Sequence, residues 1–206
     1  MYVPHFNQMP DPEVAEFLDA VGAAELITTG PDGYPLATLL PLVRDEDRLV
    51  LHMARANPHW RTISPGTPAL AVVAGPQAYV SPSWYASKAE HGRVVPTWNY
   101  SAVHLTGRAT VHDDPEWVRD AVTRLTEQHE QRRSDPWAVT DAPAVFVDKQ
   151  LRAIVGIEFV LERVEAKAKL SQNRSSDDRT GVLDGLDREG GSREAEVASA
   201  MRRVTW

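Results

Sequence analysis

Residues 23–54 read AAELITTGPDGYPLATLLPLVRDEDRLVLHMA, and their punctuation decides the fold. Ala23 to Thr29 is a strand-like run of apolar and β-branched residues. Pro31-Asp32-Gly33 is a turn signal, because proline presets φ and glycine tolerates positive φ. Tyr34 to Val43 reads as a second strand, Asp45-Glu46-Asp47 as the next turn, and Arg48 to Ala54 as a third strand. A helix precedes them over 11–22, where Val14, Phe17, Leu18 and Val21 share one face. Asp11-Pro12 opens that helix and Gly22 ends it. One helix followed by three strands on tight turns predicts an antiparallel meander or barrel.

The same reading extends along the chain. Asn57-Pro58 opens a short helix that carries Trp60 and Ile63. Ala69 to Gly75 is nearly continuously apolar, which predicts a strand buried on both faces. Tyr79 to Tyr85 reads as a further strand, Ser87 to Val94 as a polar loop, and Trp98 to His112 as one long strand bent at Gly107. Asp114-Pro115 caps a helix whose stripe is Trp117, Val118, Ala121, Val122 and Leu125. A short helix with Phe146 and Leu151 follows, and then a strand from Ile154 to Ala166. After Leu170 the chain turns rich in charge, Ser and Gly, with two short amphipathic helices predicted at 176–187 and 192–204. Helices this short must dock on something to persist. The expected organisation is a domain over 1–170 and a helical extension over 171–206. The fold class is α+β, mainly β: an antiparallel split β-barrel with peripheral helices and a short C-terminal helical extension.

Composition narrows the chemistry. The 206 residues include no cysteine, which excludes disulfides, thiolate zinc and cysteine nucleophiles. The formal net charge of −7 opposes strong autonomous DNA binding, since a phosphate-gripping face would have to be built on an acidic background. The opening MYVPHFNQMPDPE has no basic start followed by an apolar stretch, so no secretory signal is expected. No apolar run reaches the length of a membrane span, and the expected location is cytoplasmic.

Three segments could carry a ligand. In His52-Met53-Ala54-Arg55-Ala56-Asn57-Pro58-His59-Trp60, a strand runs into a helix start beside an arginine, a sound place for a phosphate. A plain helix cap explains Asn57-Pro58 equally well. Tyr79-Val80-Ser81-Pro82-Ser83-Trp84-Tyr85 and Val95-Pro96-Thr97-Trp98-Asn99-Tyr100 supply aromatic walls and small hydroxyls that suit a flat heterocycle. They would also suit an aromatic core or a dimer interface. Lys167 to Arg174, with Lys169, Ser171, Gln172 and Asn173, joins cations to amide donors that could meet a phosphate or a flavin edge, where a solvated strand end is the plainer reading. The seven histidines, among them His91, His104 and His112, match no zinc spacing, so no metal site is expected. Haem needs only one axial histidine. There is no phosphate loop of glycines, no dinucleotide fingerprint, no nucleophile elbow and no helix-turn-helix pattern.

Taken together, MYVP at 1–4, ATLLP at 37–41, HMARANPHW at 52–60, SPSWY at 81–85, VPTWNY at 95–100, LRAIVGIE at 151–158 and KAKLSQNR at 167–174 resemble the PaiB family of FMN-binding negative transcriptional regulators. Leu39 departs from the histidine expected in the family's THLP context. Met53 interrupts its GH-x-AR stretch. The resemblance implies a flavin-reductase-like split barrel that dimerises with FMN at the interface. It implies a cofactor set of His52, Met53, Ala54, Arg55, Asn57, Trp60, Tyr85, Trp98, Asn99, Lys169, Ser171, Gln172 and Asn173. The flavin phosphate would sit near Arg55, Asn57 and Trp60, and the KLSQN segment would complete the polar rim.

Three functions follow as expectations. The first is an FMN-bound homodimeric regulator, with direct DNA contact weakly supported by the charge. The second is an FMN-dependent oxidoreductase, although no residue stands out as an indispensable acid or base, so whether the protein is an enzyme stays open. The third is a haem b enzyme resembling piperazate synthases, which form an N–N bond; His52 or His59 would then be the axial ligand.

Overall fold

The computed structural model describes residues 1–204. Among these residues, six strands and six α-helices follow one another. Helix α1 spans Asp11–Val21 and gives way to β1 (Ala23–Thr29), β2 (Pro35–Asp45) and β3 (Arg48–Ala54). Gly22 makes the break at φ 65°, a conformation that glycine adopts without a Cβ penalty. β1 pairs with β2 antiparallel from Ala23↔Pro41 to Thr29↔Pro35, and β2 with β3 from Leu42↔Leu51 to Asp45↔Arg48. The second hairpin therefore turns on Glu46 and Asp47 alone, with Glu46 at φ 52°.

Next come β4 (Thr67–Val80), α2 (Ser87–His91), β5 (Thr97–His112), α3 (Pro115–Glu130), α4 (Ala144–Leu151) and β6 (Ile154–Lys169). The strands close on themselves in the order β1-β2-β3-β6-β5-β4, as a split β-barrel does. Helices α5 (Ser176–Glu189) and α6 (Ser192–Arg203) end the described chain.

Three local expectations differ from the structure. The stretches 69–75 and 79–85 are not separate strands: β4 runs unbroken through Gly75-Pro76 to Val80, and 82–84 is a 3-10 turn. Its faces are also unequal, since Ala69, Ala71 and Val73 are buried while Leu70 and Val72 are half-buried. The polar stretch at 87–94 holds the short helix α2, closed by Gly92 in the left-handed region.

The chain sorts into two compact units. The barrel unit comprises Glu16–Val73 and His104–Val164. Its core is Leu26, Leu42, Leu49, Leu51, Leu105, Ile157 and Phe159, each under 2% exposed. Burying each such side chain is worth about 1.5–3 kcal/mol. Helix α3 packs on β2 and β3 and starts at Asp114, whose carboxylate accepts from the Glu116 and Trp117 amides. Trp117 stacks on His112 at 4.3 Å and covers Gly156, where a Cβ would lie 1.9 Å from the indole. At Gly107, a Cβ would stand 2.1 Å from the Val160 carbonyl, so glycine there permits a close approach of β6.

The second, helical unit comprises Met1–Ala15, Ala74–Val103 and the residues from Glu165 onward. Its helices α5 and α6 pack through Val182, Leu186, Val197 and Met201, all fully buried. Gly181 and Gly185 of α5 lie against Trp84, where added Cβ atoms would meet the Trp84 carbonyl at 2.0 Å and its ring at 2.2 Å. Asp178, 4% exposed, accepts from both the amide and the hydroxyl of Ser87 at 2.9 Å, which fixes α2 to the start of α5. Among the described residues, no helix is long and apolar enough to cross a membrane.

Candidate cofactor site

The thirteen residues expected to hold a cofactor fall into two groups, one in each unit. In the barrel unit, the end of β3 leads into the 3-10 turn 58–62. Asn57 caps that turn: its Oδ1 accepts from the His59 amide at 3.0 Å, and its Nδ2 donates to Thr38 Oγ1 at 3.3 Å. His59 is 4% exposed and uses both ring nitrogens, Nε2 with Thr28 Oγ1 and Nδ1 with Thr38 Oγ1, each at 2.8 Å. Burial lowers its pKa. As an axial ligand, His59 would have to surrender one of these bonds. His52 also has its pKa lowered by burial, and its Nδ1 is buried without a partner. It lines a largely apolar cavity of about 510 Å³ with Val122, Leu125, Trp137, Phe146 and Leu151.

Arg55 is heavily engaged. Its guanidinium grips both oxygens of Asp113, donates from Nε to the Arg152 carbonyl at 2.8 Å, and donates from Nη2 to the Ile154 carbonyl at 3.1 Å. The hydrogen bond from Arg55 holds the Asp113 carboxyl below its ordinary range and raises the arginine. Trp60 donates from Nε1 to the Arg55 carbonyl at 2.9 Å and lies between Arg55 and Arg61, at 5.9 and 5.5 Å. Met53 is 1% exposed and packs in the barrel core, whereas Ala54 is exposed. Leu39, the departure from the family pattern, is 64% exposed.

In the helical unit, alternation along β6 sets the chemistry. Ala166, Ala168 and Leu170 point one way into packing, and Lys167 and Lys169 point the other. Lys169 Nζ donates to Thr97 Oγ1 at 2.6 Å. Burial lowers the Lys169 pKa, and the charges of Lys167 and Arg174 lower it further. Lys167 Nζ donates to the Tyr2 carbonyl at 3.1 Å and lies 5.2 Å from the Tyr100 ring. Asn99 is fully buried; its Nδ2 donates to Ser171 Oγ at 3.0 Å and its Oδ1 faces the same hydroxyl at 3.3 Å. Ser171 takes a left-handed φ of 70°. Gln172 folds back, accepting from the Leu170 amide at 2.7 Å and donating to the Ala168 carbonyl. Asn173 is exposed and Trp98 is 41% exposed.

Tyr85 is 3% exposed and lies under the Arg174 guanidinium at 4.6 Å. Its hydroxyl is buried without a partner of hydrogen-bond geometry. Burial raises its pKa, and the Arg174 charge partly offsets the rise. Lys167, Arg174 and Tyr100 belong to the segments that the sequence singles out but not to the thirteen-residue cofactor set. Asp113 carried no local signal at all, because its partner lies 58 residues away.

A polar aromatic rim, cations without acidic partners among the described residues and a phenol whose hydroxyl meets no hydrogen-bond partner among them fit an anionic cofactor with a flat ring. FMN, when bound, supplies redox chemistry of its own, while the protein binds and orients it.

Relatives agree with this reading. Residues 1–163 match the family described as "Putative FMN-binding domain". The chain is 32% identical over 206 residues to the protease synthase and sporulation protein PAI 2 of Bacillus subtilis (strain 168), covering 98% of this chain and 96% of that one. Among solved structures, the fold is shared with an FAD- and haem-binding protein of Mycobacterium smegmatis (TM-score 0.62, 18% identity, 85% of this chain and 79% of that one). It is shared as well with a conserved hypothetical protein of Mycobacterium tuberculosis (TM-score 0.61, 16% identity, 84% and 92%). The full-length match to the Bacillus relative and the family match over 1–163 together make this chain a member of the PaiB-like family of FMN-binding split-barrel proteins.

Proposed function

We propose that this protein is an FMN-bound homodimer that lowers transcription indirectly, from the cytoplasm, rather than by gripping DNA itself. The observation that carries the cofactor is the aromatic and cationic rim of the helical unit: Tyr85 with its unpartnered hydroxyl, Lys169, Ser171 and Gln172 beside Thr97 and Trp98. Dimerisation is supported by exposed apolar side chains in the same unit, Tyr2 at 81%, Val95 at 65% and Trp98 at 41%. Apolar residues gathered into one contiguous surface patch mark an interaction face. An indirect effect on DNA is supported by the net charge of −7. In the barrel unit, Asn57 and Trp60 stand as the proposed cofactor contacts.

The test is a visible spectrum of the purified protein during FMN titration, with sedimentation run alongside. Saturable uptake of FMN by a dimer, with no sequence-selective gel shift at physiological salt, is the expected result. A monomer that binds FMN would remove the dimer. A tight, selective gel shift would make the regulator a direct one. A second reading, haem b, rests on His52 and its unpartnered Nδ1. A sharp Soret band lost in His52→Ala would favour it.

A further inference from the structure

We infer that Lys167, Lys169 and Arg174 form a receptor for a phosphate monoester. The three cations share one strand end of the helical unit: Lys167 and Lys169 lie on the same face of β6, beside Tyr100 and Thr97, and a tight turn closed by the Arg174 amide on the Ser171 carbonyl at 3.0 Å brings Arg174 back next to them. Lys169 accordingly feels the charges of the other two. None has a carboxylate within ion-pair distance among the described residues. Acidic residues outnumber basic ones 29 to 22 in this chain. Arg48, Arg55, Arg108, Arg119, Arg124, Arg133 and Arg202 all have acidic partners. Lys167 is only 9% exposed, so its charge is held away from bulk water by tyrosines and one carbonyl.

Neighbouring like charges repel, and the repulsion is relieved by an anion that meets more than one of them. A phosphate monoester carries close to two charges at neutral pH and three acceptor oxygens. Two ammonium groups, a guanidinium and the Thr97 hydroxyl offer the matching donors. Arg55, the sequence candidate for this task, already spends its guanidinium on Asp113 and two carbonyls.

The phosphate has two sources, FMN itself or a second phosphorylated small molecule; the first rests on the FMN reading above. The experiment compares flavin-free full-length protein with Lys169→Met, Arg174→Met and the charge-keeping Arg174→Lys. Melting is followed in millimolar sodium phosphate against sodium chloride of equal ionic strength, and FMN and riboflavin affinities are measured by fluorescence. We expect phosphate to raise the wild-type and Arg174→Lys melting temperatures by about 2–4 °C and to leave the two methionine variants unmoved. We expect wild type to prefer FMN to riboflavin at least tenfold, and both methionine variants to lose that preference. If FMN abolishes the phosphate effect, the phosphate belongs to the cofactor. If phosphate still stabilises the FMN-saturated protein, the site serves a second ligand. Failure to bind either flavin would sink the FMN reading while leaving the phosphate melts to decide the receptor. An identical phosphate response in wild type and both methionine variants overturns it.

Discussion

Arg55 and Asp113 face each other as a two-pronged pair, and the same guanidinium also holds the carbonyls of Arg152 and Ile154. One side chain thus ties the end of β3 to the end of β5 and to the turn before β6. The ion pair is partly exposed, so solvent screens it to about 0–1 kcal/mol. The two carbonyl bonds add about 1 kcal/mol each. Arg55→Met should therefore cost about 1–3 kcal/mol in urea unfolding, while Asp113→Asn, which spares the carbonyl bonds, should cost less than 1. Equal losses would show that the carbonyl bonds contribute nothing. FMN affinity should change less than threefold in Arg55→Met, in contrast to Lys169→Met.

Ser171 combines a left-handed backbone with a buried hydroxyl bonded to Asn99. Its two tasks separate by substitution. Ser171→Ala keeps the backbone penalty and takes the hydroxyl from the buried Asn99 side chain, leaving its Nδ2 only the Met201 sulfur at 3.6 Å, a loss of about 1–3 kcal/mol. Ser171→Gly makes the same loss but relieves roughly 1–2 kcal/mol of left-handed strain. Chemical denaturation should rank wild type and Ser171→Gly above Ser171→Ala. If the alanine and glycine variants are equal, the backbone there is not strained.

Gly185 sits inside α5, where alanine would ordinarily gain about 1 kcal/mol of helix propensity. Here the added methyl would meet the Trp84 ring at 2.2 Å. Overpacking of this kind costs about 1–3 kcal/mol, so Gly185→Ala should be destabilised and its near-ultraviolet tryptophan dichroism altered. A stabilised variant with unchanged dichroism would mean that α5 shifts freely on Trp84.

The elements that sequence reading located best were those with local causes. The strands β1 and β3, the Asp114 cap and the long β5 follow from turn residues, a capping carboxylate and alternation, all within a few positions. In β4, Gly75-Pro76 reads as a breaker, whereas a strand with one half-buried face tolerates it. The 87–91 helix has no local signal, because Asp178, 91 residues away, anchors Ser87. The candidate site divides in the same manner. Lys169, Ser171 and Gln172 could be named from one short motif. The commitment of Arg55 could not, because it depends on Asp113, Arg152 and Ile154, all distant in sequence.

Acid should charge two histidines of the barrel unit, the buried His59 and the half-buried His52. His52 and His59 both have pKa values lowered by burial, so the folded protein keeps them neutral where the unfolded chain protonates them. The unfolded chain then binds more protons than the folded one as pH falls below about 6.5, and stability must fall with pH in that window. Each histidine contributes a slope of up to about 1.4 kcal/mol per pH unit, continuing until its own folded-state pKa is reached. Asp113, also lowered, acts separately, because its contribution is lost only as pH drops below about 4. Urea unfolding between pH 7 and 5 should therefore show a steady loss of stability that is reduced in His59→Gln. The glutamine amide can still meet one of the two threonine hydroxyls that hold the ring, which limits the loss at pH 7. A flat profile between pH 7 and 5 in the wild-type protein would mean that neither ring is kept neutral by the fold.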